Sequence, residues 1–462
     1  MSMFSEKLPI EPFKIKVVEP IKKITQAERE RILQKAGYNF FNIPAESIYI
    51  DLLTDSGTSA MSDAQWSRLM TGDESYAGAK SFFHLEKTAR KIFGYSHIIP
   101  THQGRAAERV LFQALVNQGN YVPNNIHFDT TRANIEIRGA EAVNLVNDDA
   151  YDALSINPFK GNMDIEKLSN FIIDKGKENI PLVILTITNN GGGGQPVSLK
   201  NIKDVSRICK TNSIPFFLDA CRFAENSYFI KKREKEYRDK SILEIAQEIF
   251  SNADGITLSA KKDSLVNIGG ILALDDDSLA EKLKNLLIVS EGFPTYGGLA
   301  GRDLEAIARG LDEAIDEDYL EYRINQVHFL GSMLENEEIP VYKPVGGHAV
   351  YILADKFLHH IPRQHFPAWA LCVELYRKFG IRAAEIGAVG FSKKDEKTKD
   401  EIYPHLELVR LAIPRRVYTA SHLDYVAEAT IDIFKNREQI KGMKLVSAPP
   451  YMRQFQARFE TL

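Results

Sequence analysis

The sequence predicts an α/β protein built on a parallel or mixed sheet, with a second and smaller α+β domain. Short apolar runs of strand length alternate with helical patterns from about residue 80 to about residue 275, which is typical of a sheet covered by helices on both faces. After residue 339 this alternation gives way to a different succession of strands and helices. At 462 residues the chain also exceeds the size at which one hydrophobic core keeps growing, so two domains are expected.

The individual elements follow from the period of the apolar residues and from the residues that interrupt it. Helices are predicted where apolar residues recur at helical spacing and glycine or proline ends the pattern. Strands are predicted at 48–53, 98–100, 126–128, 142–146, 182–187, 215–218, 255–258, 271–274, 341–342, 349–352 and 409–413. Helices are predicted at 25–36, 82–93, 106–116, 199–211, 242–250, 303–334, 369–379 and 423–434.

The domain boundaries follow from these patterns. We expect residues 1–55 to form an N-terminal arm and part of the small domain, residues 56–310 the large domain, and residues 311–462 the small C-terminal domain. Two prolines oppose regular structure in the arm, so its apolar side chains need a partner. A neighbouring subunit is one candidate for that partner.

Composition and charge exclude several classes of protein. Apolar residues make up 44% of the chain, and 58 lysines and arginines nearly balance 62 acidic residues, so nothing indicates nucleic-acid binding. No apolar run is long enough to span a bilayer, and the N-terminus lacks the apolar core of a signal peptide. Cys209, Cys221 and Cys372 are odd in number and far apart, which favours a reducing compartment and predicts a soluble, cytoplasmic protein.

The segment Ser259-Ala260-Lys261-Lys262-Asp263 follows a strand-like run and brings two amines to the edge of the predicted sheet. A desolvated amine beside another cation loses its proton easily and then attacks carbonyl groups. We therefore hypothesise that Lys262 holds an aldehyde cofactor as a Schiff base, with Lys261 beside it favouring the neutral amine. Two solvated lysines in a strand-to-loop turn are the alternative.

Other segments could contact the same ligand. The turn at residues 101–105 begins a helix, whose backbone N–H groups suit a phosphate but also fit an ordinary helix start. Asp219 ends a strand and either pairs with a pyridinium nitrogen or caps the next helix. Asn190 precedes four glycines that permit close approach to a ligand or form a flexible loop. Phe128 either lies flat on a planar ring or packs in the core.

These motifs, in this order, make the chain similar to the pyridoxal-phosphate-dependent β-eliminating lyases, the family of tryptophanase and tyrosine phenol-lyase. The resemblance runs from Glu11 to Arg458. Its most specific stretches are residues 49–58, 100–105, 259–263 and 413–419. It implies the aminotransferase-like fold type I with a mixed seven-stranded sheet, pyridoxal 5'-phosphate (PLP) and K⁺ as cofactors, an amino-acid substrate, and a homotetramer whose active sites lie between subunits.

The resemblance also implies which residues form the site. The catalytic residues would be Lys262, Tyr76, Lys261 and Asp129. PLP would be held by Lys262, Gln103, Gly104, Arg105, Phe128, Asn190, Asp219, Arg222 and Ser259. The substrate would contact Arg410, Thr54, Ser56, Phe41, Ile386 and Gln454. Glu74, Gly57 and Asn267 would bind K⁺.

Several of these residues have a defined role in the family. The resemblance implies that Lys262 is the base at the substrate Cα and that Lys261 is its cationic neighbour. Arg410 would hold the substrate carboxylate with its guanidinium fork. Tyr76, reaching a site from a neighbouring subunit, would protonate the leaving group, and Asp129 would assist when that group is indole.

The leaving group depends on positions outside the lysine pair. Phenol-lyases carry an arginine in place of Ile386 and a threonine in place of Asp129, so these residues favour tryptophan as the substrate, with indole, pyruvate and ammonia as products. Tryptophanases carry a histidine in place of Gln454, so a lyase for tyrosine or another β-substituted amino acid such as S-alkylcysteine is the alternative. A non-catalytic oligomer is disfavoured, because folding alone does not require the full set of catalytic residues.

Overall fold

The computed structural model describes residues 9–394, 398, 400–449 and 452–462, and its chain forms two compact units. The larger unit comprises Ser56–Ala150 and Asn157–Glu321. The smaller unit comprises the described residues up to Asp55, the short segment Tyr151–Ile156, and the chain from Tyr322 onward. None of the helices in these described ranges is long and apolar enough to cross a bilayer.

The larger unit is built on a five-stranded mixed sheet. Its strands lie in the order His97–Thr101, Gly270–Leu274, Gly255–Ser259, Phe216–Asp219 and Val183–Thr186. The last three strands are parallel, whereas Gly270–Leu274 is antiparallel to both of its neighbours. Every residue of these last four strands is buried, as expected when helices cover both faces of a sheet.

Two further strands, Tyr121–Asn124 and Glu141–Asn144, form a separate parallel pair. The mixed sheet is confirmed, but the seven strands implied by the resemblance are divided into five and two. Side-chain amides explain the division. Thr186 N donates to Asn124 Oδ1 at 3.2 Å and to Asn125 Oδ1 at 3.1 Å, and Asn125 Nδ2 donates to Thr186 O at 3.0 Å. Asparagine side chains therefore replace the backbone ladder at this edge.

Helices of the larger unit begin at residues that satisfy their first N–H groups. Ser241 and Glu244 form a capping box at the start of Ile242–Phe250. The helices of this unit are Asp63–Leu69, Lys80–Phe93, Gly104–Leu115, Asp129–Glu136, Ile165–Lys175, Leu199–Asn212, Phe223–Arg233, Ile242–Phe250, Asp277–Ser290 and Gly301–Ala314, and Glu317–Asn336 continues into the smaller unit.

The smaller unit contains a three-stranded antiparallel sheet in the order Ala384–Ile386, Leu408–Ala412, Ala349–Leu353. Its core includes Trp369, whose ring lies 4.3 Å from that of Phe40. Its helices are Gln26–Ala36, Ala354–Phe357, Pro367–Phe379, Ala388–Phe391 and Ala420–Lys435. Its remaining strands are Ile50–Asp51, Ile381–Arg382, Lys393–Lys394, Glu401–Ile402, Met443–Ser447 and Arg458–Thr461.

The strand predicted at residues 126–128 is wrong. The strand is Tyr121–Asn124, and Phe128 is the N-cap residue of the helix Asp129–Glu136. The true strand contains Pro123, a residue that argues against a strand interior because it cannot donate to the ladder. Ile126 and Phe128, which follow this strand, are residue types common in strands, but they lie outside it.

Two further predictions differ from the structure. The long helix predicted from 303 to 334 is two helices, Gly301–Ala314 and Glu317–Asn336, because the chain leaves helical geometry at Ile315. The strand predicted at 341–342 is reduced to a single bridge between Val341 and Ile352.

Candidate active site

The candidate residues of the larger unit lie at the carboxyl ends of its parallel strands. Asp219 ends the strand Phe216–Asp219 and pairs in register with Thr186 on one side and Thr257 on the other. Its side chain is buried, with 7% of its surface exposed. Ser259 ends the neighbouring strand and leads directly to Lys262. The strand ends of an open α/β sheet are where ligands bind, so Asp219 and Lys262 flank a suitable position.

The turn Gln103–Gly104 closes against the end of the neighbouring strand. A Cβ atom on Gly104 would lie 2.7 Å from Ser259 Cβ and 2.9 Å from Ser259 Cα, so only glycine fits without a shift. The Gln103 side chain lies 2.9 Å from His102 Nε2 and makes no capping bond to the helix Gly104–Leu115. This helix start therefore presents backbone N–H groups beside Ser259, an arrangement that suits a phosphate.

Three cations share this region. Burial lowers the pKa of Lys261, and the charges of Lys262 and Arg105 lower it further. The chain is also closely packed here, because Gly57 N donates to Lys261 O at 2.7 Å and a Cβ on Gly57 would lie 2.5 Å from Lys261 Cε. The positive charge around the turn is complementary to an anionic ligand.

Two side chains fix the loop that carries Lys262. Asp263 Oδ2 accepts a hydrogen bond from Ala224 N at 2.8 Å, at the start of the helix Phe223–Arg233. Ser259 N donates to Cys221 Sγ at 3.2 Å. Burial and the charge of Asp219 raise the pKa of the Cys221 thiol, which is therefore neutral. The loop is thus anchored on both sides of Lys262.

Asn190, Arg222 and Phe128 lie on segments that follow the same strand ends. Asn190 is buried in a turn closed by the hydrogen bond from Asn189 N to Gln195 O, at 2.8 Å, so the glycine-rich segment is not an open flexible loop. Arg222 is buried and immediately precedes Phe223–Arg233. Phe128 is half-buried and precedes Asp129 at the start of its helix.

Glu108 is a buried carboxyl that the sequence did not identify. Burial raises its pKa to about 7, and the charge of Asp219 raises it as well, whereas Thr131 and Lys262 oppose the shift. Its position four residues after Gly104, on a face that is otherwise apolar, is the signal that could have identified it.

The substrate residues assigned to the smaller unit include Arg410, on the central strand Leu408–Ala412. This arginine is buried, and its NH2 donates to Leu53 O at 2.8 Å, next to Thr54. Ser56 is half-buried and begins the larger unit.

Phe41, Ile386 and Gln454 lie on segments that meet within the smaller unit. The Phe41 ring lies 4.8 Å from that of Phe455, which follows the buried Gln454. Gln454 Cδ would lie 3.9 Å from a Cβ on Gly390, four residues after Ile386. The structure therefore brings together the segments that carry these three residues, although the segments are far apart in sequence.

Tyr76 lies on an exposed loop. Its side chain is 69% exposed, and its ring lies 5.3 Å from Tyr296 and 5.7 Å from Phe293. The hydrogen bond with Tyr296 raises the pKa of Tyr76, which favours the protonated phenol that a general acid requires.

The residues implied for K⁺ make separate contacts. Asn267 Nδ2 donates to Gly57 O at 2.9 Å, whereas Glu74 accepts from Gly301 N at 2.6 Å and from Arg302 N at 3.2 Å. These hydrogen bonds connect Glu74 to the start of the helix Gly301–Ala314.

Comparison with known proteins shows which family the sequence matches. The family described as Beta-eliminating lyase matches residues 51–429. A tryptophanase of Salinibacter ruber is 54% identical over 448 residues, covering 97% of this chain and 94% of that protein. A tyrosine phenol-lyase of Nostoc punctiforme is 50% identical over 450 residues, covering 97% and 96%.

Solved structures give the same fold at low sequence identity. A serine palmitoyltransferase from S. paucimobilis with a bound PLP–myriocin aldimine superposes with a TM-score of 0.59 at 12% identity, covering 85% of this chain and 88% of that one. A second serine palmitoyltransferase with PLP gives a TM-score of 0.61 at 12% identity, covering 90% and 98%. These likenesses confirm the fold type I architecture.

Proposed function

The chain belongs to the β-eliminating lyases, and on this basis we propose that it cleaves L-tryptophan to indole, pyruvate and ammonia. The observation that carries this choice is Ile386, an apolar and half-buried side chain on a segment that meets those of Phe41 and Gln454. An apolar side chain suits the indole ring, whereas the resemblance implies an arginine at this position in the phenol-lyases.

The residues at the strand ends fit PLP. Ser259 and the helix start at Gly104 form a close cradle for the phosphate, with Lys261 and Arg105 adding positive charge. The buried Asp219 carboxyl suits the ring nitrogen. The cofactor, when bound through Lys262, supplies an electron sink for chemistry at the substrate Cα.

The chain's own residues account for the proton transfers. In this proposal Lys262 removes the Cα proton, and Arg410 orients the substrate by binding its carboxylate with two N–H groups. Tyr76 donates a proton to the departing ring carbon, assisted by Asp129, as the bond between Cβ and the ring breaks. Water then converts the remaining three-carbon fragment to pyruvate and ammonia.

Gln454 favours a second candidate. Its side chain is buried and lies close to Gly390, at a position where the resemblance implies a histidine in tryptophanases. An amide cannot gain and lose a proton near neutral pH as an imidazole does. A lyase that expels phenol or an alkylthiol from tyrosine or S-alkylcysteine is therefore the alternative.

We also propose a cytoplasmic homotetramer with K⁺ at each active site. Apolar side chains on the N-terminal arm support an intersubunit contact, because Ile10 is 74% exposed and Val17 is 86% exposed. The exposed Tyr76 supports a site completed by another subunit. Light scattering of the purified protein tests the tetramer, and activity in K⁺ against Na⁺ buffer tests the cation.

A substrate panel tests the proposed reaction. The protein reconstituted with PLP is incubated with tryptophan, tyrosine and S-methylcysteine in K⁺ buffer, and pyruvate is measured. We expect tryptophan to be the preferred substrate. Ile386→Arg should shift preference toward tyrosine, whereas the matched control Ile386→Leu should not. Pyruvate from tyrosine or S-methylcysteine but not from tryptophan would contradict the proposal.

A further inference from the structure

Glu108 joins two helices that carry implied cofactor contacts. It lies on Gly104–Leu115, one turn after the glycine of the phosphate turn. Its Oε1 accepts a hydrogen bond from Thr131 Oγ1 at 2.6 Å, and its Oε2 accepts a longer one from Asn134 Nδ2 at 3.4 Å. Both donors lie on the helix Asp129–Glu136. The carboxyl is therefore a bridge between the two helices.

The bridged helix begins with two residues of the implied site. Phe128 is its N-cap residue, and that side chain makes no capping hydrogen bond. Asp129 is the first helical residue, and its Oδ1 accepts from Thr130 N at 2.6 Å. The orientation of both side chains thus depends on how the first turns of this helix are held, and Thr131 lies in the first turn.

Charged residues at the strand ends influence the pKa of Glu108. The charges of Asp219 and Lys262 both act on its pKa, in addition to its two hydrogen-bond donors on the neighbouring helix. Burial, with the charge of Asp219, raises the pKa of Glu108 to about 7. Near neutral pH the residue therefore exchanges a proton within the electrostatic range of the cofactor site.

We propose that Glu108 is a positioning residue: its carboxyl holds Phe128 and Asp129 in place through Thr131 and Asn134, relative to the phosphate turn. The inference rests on the proposed function. It differs from the family roles because Glu108 itself contacts neither substrate nor cofactor and acts through the helix Asp129–Glu136.

The first test measures PLP binding to the apoprotein by titration of the visible absorbance. We expect Glu108→Ala to weaken PLP affinity about 10-fold, because the helix that begins after Phe128 loses both hydrogen bonds that hold it to the phosphate-turn helix. Glu108→Gln keeps an acceptor for Thr131 and should bind PLP nearly as the wild type does. In this variant, however, the visible absorbance of bound PLP should no longer change with pH near pH 7, where Glu108 titrates in the wild type. The matched control Glu136→Gln, an exposed carboxyl on the helix Asp129–Glu136, should change neither quantity.

The second test separates positioning from general loss of structure. A leaving arylthiolate needs no proton, whereas indole does, so misplacing Asp129 should impair tryptophan more than S-phenylcysteine. We expect Glu108→Ala to lower kcat on tryptophan about 10-fold more than on S-phenylcysteine. Thr131→Val removes the same hydrogen bond from the other side, and it should reproduce this difference if Glu108→Ala fails to fold.

Equal losses on both substrates in Thr131→Val, with PLP affinity unchanged, would overturn the inference. So would a PLP affinity of Glu108→Ala equal to that of the wild type. The proposed function fails separately, since in that case the wild-type protein itself would release no pyruvate from tryptophan.

Discussion

The buried carboxyl of Glu385 makes the stability of the smaller unit depend on pH. It accepts hydrogen bonds from Val389 N at 2.8 Å and Gly390 N at 3.2 Å. Burial, with a further contribution from the nearby carboxyl of Glu407, raises its pKa from 4.5 to about 8, although the two backbone hydrogen bonds and Arg453 oppose the shift. Folding therefore favours the protonated form of Glu385.

The sign of the pH effect follows from that shift. In the unfolded chain Glu385 loses its proton near pH 4.5, whereas in the folded chain it does so near pH 8. The carboxyl thus costs no stability below pH 4.5, costs progressively more as the pH rises between these values, and reaches its full cost above pH 8. A pKa shift of one unit corresponds to about 1.36 kcal/mol of folding free energy. The shift of Glu385 therefore costs at most about 5 kcal/mol.

Glu385→Gln should remove this cost, because the amide stays neutral and its Oε1 can still accept from the backbone. We expect the variant to be more stable than the wild type by several kcal/mol at about pH 9 and by much less at about pH 5. Urea unfolding of the apoprotein, followed by the emission of the fully buried Trp369, measures the difference in the unit that contains Glu385. Glu46→Gln, an exposed carboxyl of the same unit, is the control. An equal stability difference at both pH values would refute this reasoning.

Three other substitutions have defined consequences. Gly104→Ala should weaken PLP binding about 10-fold, since its Cβ would lie 2.7 Å from Ser259 Cβ; unchanged affinity in an absorbance titration would exclude the close cradle. Asp55→Asn should cost about 3–5 kcal/mol in urea unfolding, because its carboxyl lies 2.9 Å from the guanidinium of the fully buried Arg415. Asp263→Ala should cost about 1–2 kcal/mol by removing the acceptor at the start of Phe223–Arg233, and an unchanged unfolding midpoint would argue against that cap.

The strand ends could be predicted because their signals are local. Apolar runs ending in Asp219 and Ser259 are short, buried and separated by helical patterns, so parallel strands place both residues at one edge of the sheet. The turn at Gln103–Gly104 could be identified in the same way, since glycine opens a helix directly after a strand. Lys262 lies three residues beyond Ser259, so its position near this edge of the sheet could be predicted as well.

Features that depend on tertiary contacts could not be predicted. Asparagine side chains at Asn124 and Asn125 replace a backbone ladder, and no residue pattern indicates such a substitution. Because Pro123 argues against a strand, the residue pattern does not predict Tyr121–Asn124. It predicts a strand at Phe128, which is a helix cap in the structure. Glu108 lies on a helix face whose apolar character the sequence shows, but its hydrogen bonds to Thr131 and Asn134 depend on the fold.

The segment Tyr151–Ile156 shows the same limit at the level of domains. It interrupts the larger unit in sequence but belongs to the smaller unit, where Lys343 N donates to Ala153 O at 2.8 Å. Its composition does not differ from that of a surface loop. Only the contacts of the folded chain show that this segment belongs to the smaller unit.

The proposed reaction is tested most directly by incubating the PLP-reconstituted protein with L-tryptophan in K⁺ buffer and measuring indole and pyruvate together. We expect equal amounts of indole and pyruvate from the wild type, and neither product from Lys262→Ala. Absence of both products from the wild type, or equal activity in Lys262→Ala, would contradict it.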